Sequence, residues 1–197
     1  AQTDIEEILP VHLGDTPQPF ENESFNLKLE RSPPRHPILQ LEKESGTNSR
    51  VWENLPELNG INIGLKPRKN SNILASFIRG RDKYPVLVAG RFGKGRSLVV
   101  ATDSLWNWNF RQVGEGGSGR HYHRFWSNLI SWLIDEPETR LLKLETHKER
   151  YEEGEEILLR VSVLQSNYNP YAGAQVRLTI KTRSGDMKLK IIKTNEN

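Results

Sequence analysis

The chain has 197 residues, no cysteine, 35% hydrophobic residues with five tryptophans, and a formal net charge of +3. That length holds one large domain or two small ones, and the missing thiol removes disulfides, thiolate metal sites and a cysteine nucleophile from these residues. No apolar run approaches the ~18–20 residues of a membrane span, no basic-plus-apolar leader opens the chain, and a start at Ala1 reads as an excised fragment or a processed chain.

Residues 1–57 read as irregular. TPQPF, SPPRHP and SGTNS are punctuated by Pro, Gly, Ser and Asn, which disfavour long elements. RVWENLPEL, residues 50–58, predicts a short helix. Charge also changes along the chain. Residues 1–57 hold eleven Asp/Glu against five Lys/Arg, whereas residues 58–96 hold nine Lys/Arg and the single acid Asp82. Such a block is either a nucleic-acid footprint or a solvated hairpin surface facing the acidic segment, and the second is the working expectation.

From about residue 60 the pattern turns to strands. INIGL, NILASFI, YPVLVAGRF and RSLVVAT are short apolar or β-branched runs between turn residues. Gly93-Lys94-Gly95 predicts a tight turn with positive φ, joining strands near 84–92 and 96–102 into a hairpin. PVLVA and LVVA are nearly continuous apolar runs, as expected of strands covered on both faces. Residues 121–134 predict a helix, with Phe125, Trp126, Leu129, Ile130 and Leu133 in one apolar stripe and Pro137 beyond its end. Such a stripe needs a sheet to lie on.

After Pro137 the period changes to two. LLKLET, EILLRVSVL, AQVRLTIK and MKLKIIKT predict four strands, separated by YEEGEE, QSNYNPYAGA and TRSGD. An immunoglobulin-type sandwich needs roughly seven strands. The expected organisation is therefore a unit over 1–138 and a partial β-sandwich over 141–197, with the junction at Asp135-Glu136-Pro137-Glu138. The second unit would leave a sheet edge open to association.

The motifs that carry chemistry are few. GEGGSG, residues 114–119, matches G-x-G-x-x-G, but ten residues separate Asp103 from Gly114 where the dinucleotide fingerprint needs the glycine directly after a strand. GRFGKGRS lacks the Ser or Thr that follows a P-loop lysine. His121 and His123, two apart, lie about 200° apart on a helix and cannot then share a metal. His36 precedes Pro37 and is biased to extended backbone. G-x-S-x-G is absent. The strand ending near residue 102 delivers Asp103 and Ser104 to its carboxyl end, where α/β sheets bind ligands. Trp106, Trp108 and Phe110 follow in a connector that their burial would pin to the sheet. Candidate ligand-binding residues are Asp103, Ser104, Trp106, Trp108, His121 and His123, with no metal and no cofactor expected.

LPVHLGD, RHPILQL, VWENLPELNGINIG, YPVLVAGRFGKGRSLVVATDSLWNWNF and HYHRFWSNLISWL occur in that order over residues 5 to about 135. Together they resemble the C-terminal portion of class I glutamine-amidotransferase-like domains. Such domains occur in large bacterial membrane-anchored proteins, often beside von Willebrand type A modules. The resemblance implies an α/β fold with a flavodoxin-like mixed sheet between helices, and a periplasmic or cell-envelope setting. RYEEGEEILLRVSVL and GAQVRLTI resemble the opening of a bacterial Ig-like or macroglobulin-like sandwich. Active members of the family use a cysteine on a strand-to-helix elbow with a later His and Glu. No cysteine is present here, and Ile38 stands where the His-Pro-Glu pattern would place Glu. The resemblance thus implies a binding or scaffolding module with an unidentified protein or small-molecule partner. The alternatives are an amidotransferase or hydrolase whose nucleophile lies upstream, and nucleic-acid binding through residues 66–96.

Overall fold

The computed structural model describes residues 4–14, 20–31, 34–114, 116, 118–134, 140–148, 150–152, 154–165, 168–181 and 187–194. The chain divides into two compact units, Ala1–Glu136 and Pro137–Asn197. The expected junction, and with it Pro137, lies outside the described residues.

The first unit opens with helix α1 (Asp4–Ile8) and strand β1 (Val11–Leu13). Strands β2 (Phe20–Phe25) and β3 (Lys28–Leu29) follow, then helix α2 (Ser45–Glu53). Next come β4 (Leu58–Asn62), β5 (Leu65–Pro67), β6 (Asn72–Arg79), β7 (Asp82–Phe92) and β8 (Gly95–Val100). The unit closes with α3 (Asn107–Gly114) and α4 (Arg120–Leu133). The largest sheet has the order β3-β6-β7-β8, while β1 pairs β5 and β2 pairs β4 as separate two-stranded sheets. Helix and strand are mixed as an α/β amidotransferase-like domain requires. The sheets are nevertheless small and separate, and every ladder among the described residues is antiparallel. The four-stranded sheet is the largest of those formed by the described residues.

The β7–β8 hairpin has Leu87 opposite Val100 and Phe92 opposite Gly95. Its two-residue loop puts Gly93 at φ +56, and Lys94 is not in the left-handed region, which is the pattern of a type II′ turn. Val86, Leu87 and Val88 are fully buried, as their continuous apolar run predicts. That burial occurs in an antiparallel ladder, so a run of this kind reports coverage of both faces and not strand direction. Gly60 in β4 has φ +74, and a Cβ there would stand 2.5 Å from the Phe20 ring of the paired strand. The positive φ is what favours glycine there, since the half-exposed Phe20 ring is free to swing aside.

Two expectations about helices need correction. The helix predicted over 50–58 instead spans Ser45–Glu53, so SGTNS forms its first turns. Its buried residues are Asn48 and Trp52, four apart, with a polar residue where the period would call for an apolar one. On α4 the buried residues are Phe125, Leu129 and Trp132, while Ile130 is 54% exposed. The stripe is rotated towards Trp132, because α4 packs against the 3-10 turn Pro37–Leu39 as well as β8.

The second unit, described by itself, consists of β9 (Leu142–Thr146), β10 (Leu159–Val163), β11 (Gln175–Lys181) and β12 (Met187–Lys193). The four predicted strands are present. They form two separate antiparallel ladders, β9–β10 and β11–β12, and not a closed sandwich. Leu142 and Leu144 lie opposite Val163 and Val161 on one face, yet both leucines are more than half exposed. Two-stranded ladders are marginal on their own.

Phe125 is 0% exposed and meets Trp52 and Trp108 edge to face at 6.4 and 5.5 Å. Phe125→Ala is therefore expected to cost about 3–5 kcal/mol in denaturant unfolding. Ile130→Ala, about a third of a turn from the buried stripe, should stay within about 0.5 kcal/mol. Equal losses at the two positions would contradict the assigned face.

Candidate functional site

The end of β8 is stitched to β4 by backbone and side chain together. Ala101 accepts from the Asn62 N–H at 2.7 Å and donates to the Val86 carbonyl at 2.8 Å. Asp103 then begins a 3-10 turn, Ser104–Trp106, that leads directly into α3. The connector is thus helical, and the alternate spacing of its aromatics separates them. Trp108 is 1% exposed, and its indole N–H donates to the Pro56 carbonyl at 3.1 Å. Trp106 and Phe110 instead face solvent at 50% and 66%, touching each other edge to face. Of the three, only Trp108 pins the connector; the expectation of shared burial fails for the other two because a helix places residues two apart on opposed faces.

Ser104 is buried. Its hydroxyl accepts from the Asn59 N–H at 2.9 Å and lies 2.9 Å from the Thr102 hydroxyl. These bonds tie the segment to β4, and none of them runs to an imidazole. Asp103 beside it is exposed and makes no side-chain cap. The strand end therefore brings Asp103 and Ser104 together in sequence but sends one outward and the other into the core.

The histidines also part company. His123 is exposed on α4. His121 is mostly buried, and its Nε2 meets Glu42 Oε1 at 3.0 Å, with Arg120 on the same oxygen. Its Nδ1 is buried with no hydrogen-bond partner among the described residues. The hydrogen bond from His121, with the charges of Arg120 and Arg124, outweighs desolvation and holds the Glu42 carboxyl below its ordinary range. Glu42 was not visible as a site residue because LEKESGTNS reads as loop. No local signal marks it, because α2 starts at Ser45 and SGTNS supplies no apolar residue. Among the described residues no group of three or more His, Asp and Glu is placed to hold a metal ion.

His36 takes the extended backbone expected before proline, with φ −66 and ψ 134. It is 4% exposed, its Nδ1 accepts from the Ile38 N–H at 3.4 Å, and its ring lies 5.1 Å from that of Trp132. Arg96 stacks over the same Trp132 ring and donates to its carbonyl. Burial first, then the Arg96 charge, lowers the imidazole from its ordinary 6.5 to about 3.

The basic block meets the acidic segment. Arg79 pairs with Glu21 and Glu23 of β2, and Lys83 with Glu30. Arg68 is bound to the carbonyls of Glu6 and Leu9. These cations of the 58–96 stretch are engaged within the fold.

A depressed histidine pKa has a definite sign. Between about 3 and 6.5 the unfolded chain binds a proton at His36 that the folded chain refuses. Its contribution is complete above pH 6.5 and is lost as pH falls towards 3, at about 1.4 kcal/mol per unit. The urea midpoint should thus drop more steeply from pH 6.5 to 4 in the wild-type chain than in His36→Asn. Parallel pH profiles would refute the buried neutral imidazole.

Comparison with known proteins adds one finding. The profile of the family described as "Putative glutamine amidotransferase" (GATase1-like) matches residues 1–135. No curated protein and no solved structure matches the chain. The match spans well over half of the 197 residues and covers the unit that holds Ser104, His36 and the Glu42–His121 pair. The chain therefore belongs, through residues 1–135, to the GATase1-like family of glutamine-amidotransferase-like domains.

Proposed function

We propose that residues 1–135 form a non-catalytic amidotransferase-like module that binds a ligand or a protein. In this reading it belongs to a longer envelope-associated bacterial protein, in which an Ig-like or macroglobulin-like sandwich follows. The observation that carries the non-catalytic part is the use made of the two groups best suited to nucleophilic or base chemistry. The Ser104 hydroxyl is committed to Asn59 and Thr102. His36 is buried against Trp132 and held neutral and weakly basic. A nucleophile needs a base within hydrogen-bond reach, and the Ser104 hydroxyl meets Asn59 and Thr102 rather than an imidazole. The sequence adds no thiol.

A second reading keeps catalysis and places the nucleophile outside these residues. One observation favours it. His121 and Glu42, at 3.0 Å, have the arrangement of a base and the carboxylate that orients it. The nucleic-acid reading of residues 66–96 is weakened by the engagement of Arg68, Arg79 and Lys83 with the acidic segment.

The two readings part in a coupled ammonia assay with glutamine, run on this chain and on any longer natural form of it. The expected result is no release above buffer in either. Release by the longer form that is abolished by His121→Ala would overturn the non-catalytic reading and select the second.

A further inference from the structure

The second unit carries a strand edge that its own chain begins to cover and then leaves. The Leu164 N–H donates to the Leu141 carbonyl, so in the β9–β10 register Arg160 and Ser162 also turn their backbone groups towards β9. Leu159, Val161 and Val163 turn theirs the other way. On that outer side the chain folds back beyond Gln165. The Gln165 N–H donates to the Asn169 carbonyl, and the Tyr171 N–H donates to the Val163 carbonyl. Each step of two along β10 is a step of two back along the returning segment. Continuing that register would set Gly173 against Val161 and Gln175 against Leu159. Instead Gly173 takes φ +73, and its N–H donates to the Thr194 carbonyl just past β12. The chain departs there to begin β11, which pairs with β12. Among the described residues nothing bonds to the outward N–H and C=O groups of Leu159 and Val161. They border a groove of about 520 Å³, lined by residues 159–164, Pro170, Tyr171, Val176, Lys193 and Thr194.

We propose that an extended peptide of a partner protein adds to this edge as an antiparallel strand, in the place that residues 173–175 leave open. Its sequence alternates, with an acidic residue opposite Arg160 and β-branched residues opposite Leu159 and Val161. The backbone supplies the affinity, because the outward groups of Leu159 and Val161 then pair as they do in β-strand addition generally. The side chains supply the choice of partner. Leu159 and Val161 share their face with Leu144, which is more than half exposed, so β-branched residues opposite them extend an apolar surface. Arg160 lies on the other face. Arg160 and Lys193 are the charged residues of the groove lining, both exposed, and no acid accompanies them. The acid opposite Arg160 in the ladder, Glu145, stands on β9, across the other edge of β10. A second copy of the chain fits this edge poorly. Self-pairing of Leu159 with Val161 would set the two Arg160 side chains directly opposite each other, which is unfavourable for like charges. Self-pairing centred on Val161 would require the Val163 carbonyl that Tyr171 already holds. The groove belongs to the second unit alone, so this inference is independent of the reading of residues 1–135.

Titration of the isotope-labelled whole chain with acetyl-Thr-Val-Glu-Val-Thr-amide, followed by NMR, reads the edge directly. The Leu159 and Val161 amides should shift saturably as they gain acceptors. N-methylation of both valines removes the donors that face β10 and should weaken binding at least ~10-fold. N-methylation of the glutamate, whose N–H faces away from β10, should weaken it far less. The lysine peptide acetyl-Thr-Val-Lys-Val-Thr-amide should bind at least ~3-fold more weakly than the glutamate peptide. Arg160→Gln, at an exposed position, should shrink that preference. No saturable shift at Leu159 and Val161 would overturn the proposal. So would equal binding of the peptide with both valines N-methylated, a lysine peptide that binds as tightly as the glutamate one, or an unchanged preference in Arg160→Gln. Shifts of the same amides with protein concentration alone would also overturn it, and would assign the edge to a second copy.

Discussion

The Asn48 side chain reaches from α2 into the backbone at Leu39–Glu42 and satisfies three of its groups at once. Its Oδ1 accepts from the Leu41 and Glu42 N–H groups, and its Nδ2 donates to the Leu39 carbonyl. Trp52, one turn on, donates to that same carbonyl. From the other side, Asn128 of α4 donates to the Gln40 carbonyl. Four residues of irregular backbone are thereby fixed between two helices. Each buried group left without its partner would cost about 1–3 kcal/mol, so the strap and the helices have to form together.

Much of the first unit follows from that constraint. The strap starts at His36, whose ring packs on Trp132 near the end of α4, and finishes at Glu42, which meets Arg120 and His121 at the start of α4. Both ends of the helix are thus held by one stretch of chain. Trp52 in turn meets Trp108 and Phe125, so α2, α3 and α4 share a single aromatic cluster. A second seam does the same for the sheets. Asn59 and Asn62 of β4 bond to Ser104 and Ala101 beyond β8, which joins a two-stranded sheet to the four-stranded one. The polar residues that looked like chemistry in the sequence are, for the most part, the residues that make these two seams.

The strands of the first unit were readable because burial and turn chemistry agree there. PVLVA is buried residue by residue, and Gly93 takes the positive φ its turn requires. The β2 strand was not readable. FENESF has exposed and half-buried positions with acids at Glu21 and Glu23, and it is held by its pairing with β4 and by Arg79 rather than by apolar alternation. Helix α2 was misplaced for a related reason: its first turns carry no apolar residue, and its most buried position is an asparagine whose partners are non-local. The site suffered likewise. Trp106 and Trp108 are two apart and equally apolar, yet a helical connector buries one and exposes the other. Glu42 and His121 are 79 residues apart, and no local pattern announces a carboxylate waiting for a distant imidazole. In the second unit the strands were legible from alternation alone, whereas their arrangement as two separate ladders depends on pairing that alternation does not encode.

Native-state hydrogen exchange on Asn48→Ala reads the coupling directly. If the strap unites the helices, amides of α2 and of α4 around Asn128 should lose protection together and open with one common, lowered free energy. Loss confined to residues 41–48, with α4 exchanging as in the wild-type chain, would contradict the claim that this buried amide holds the unit together.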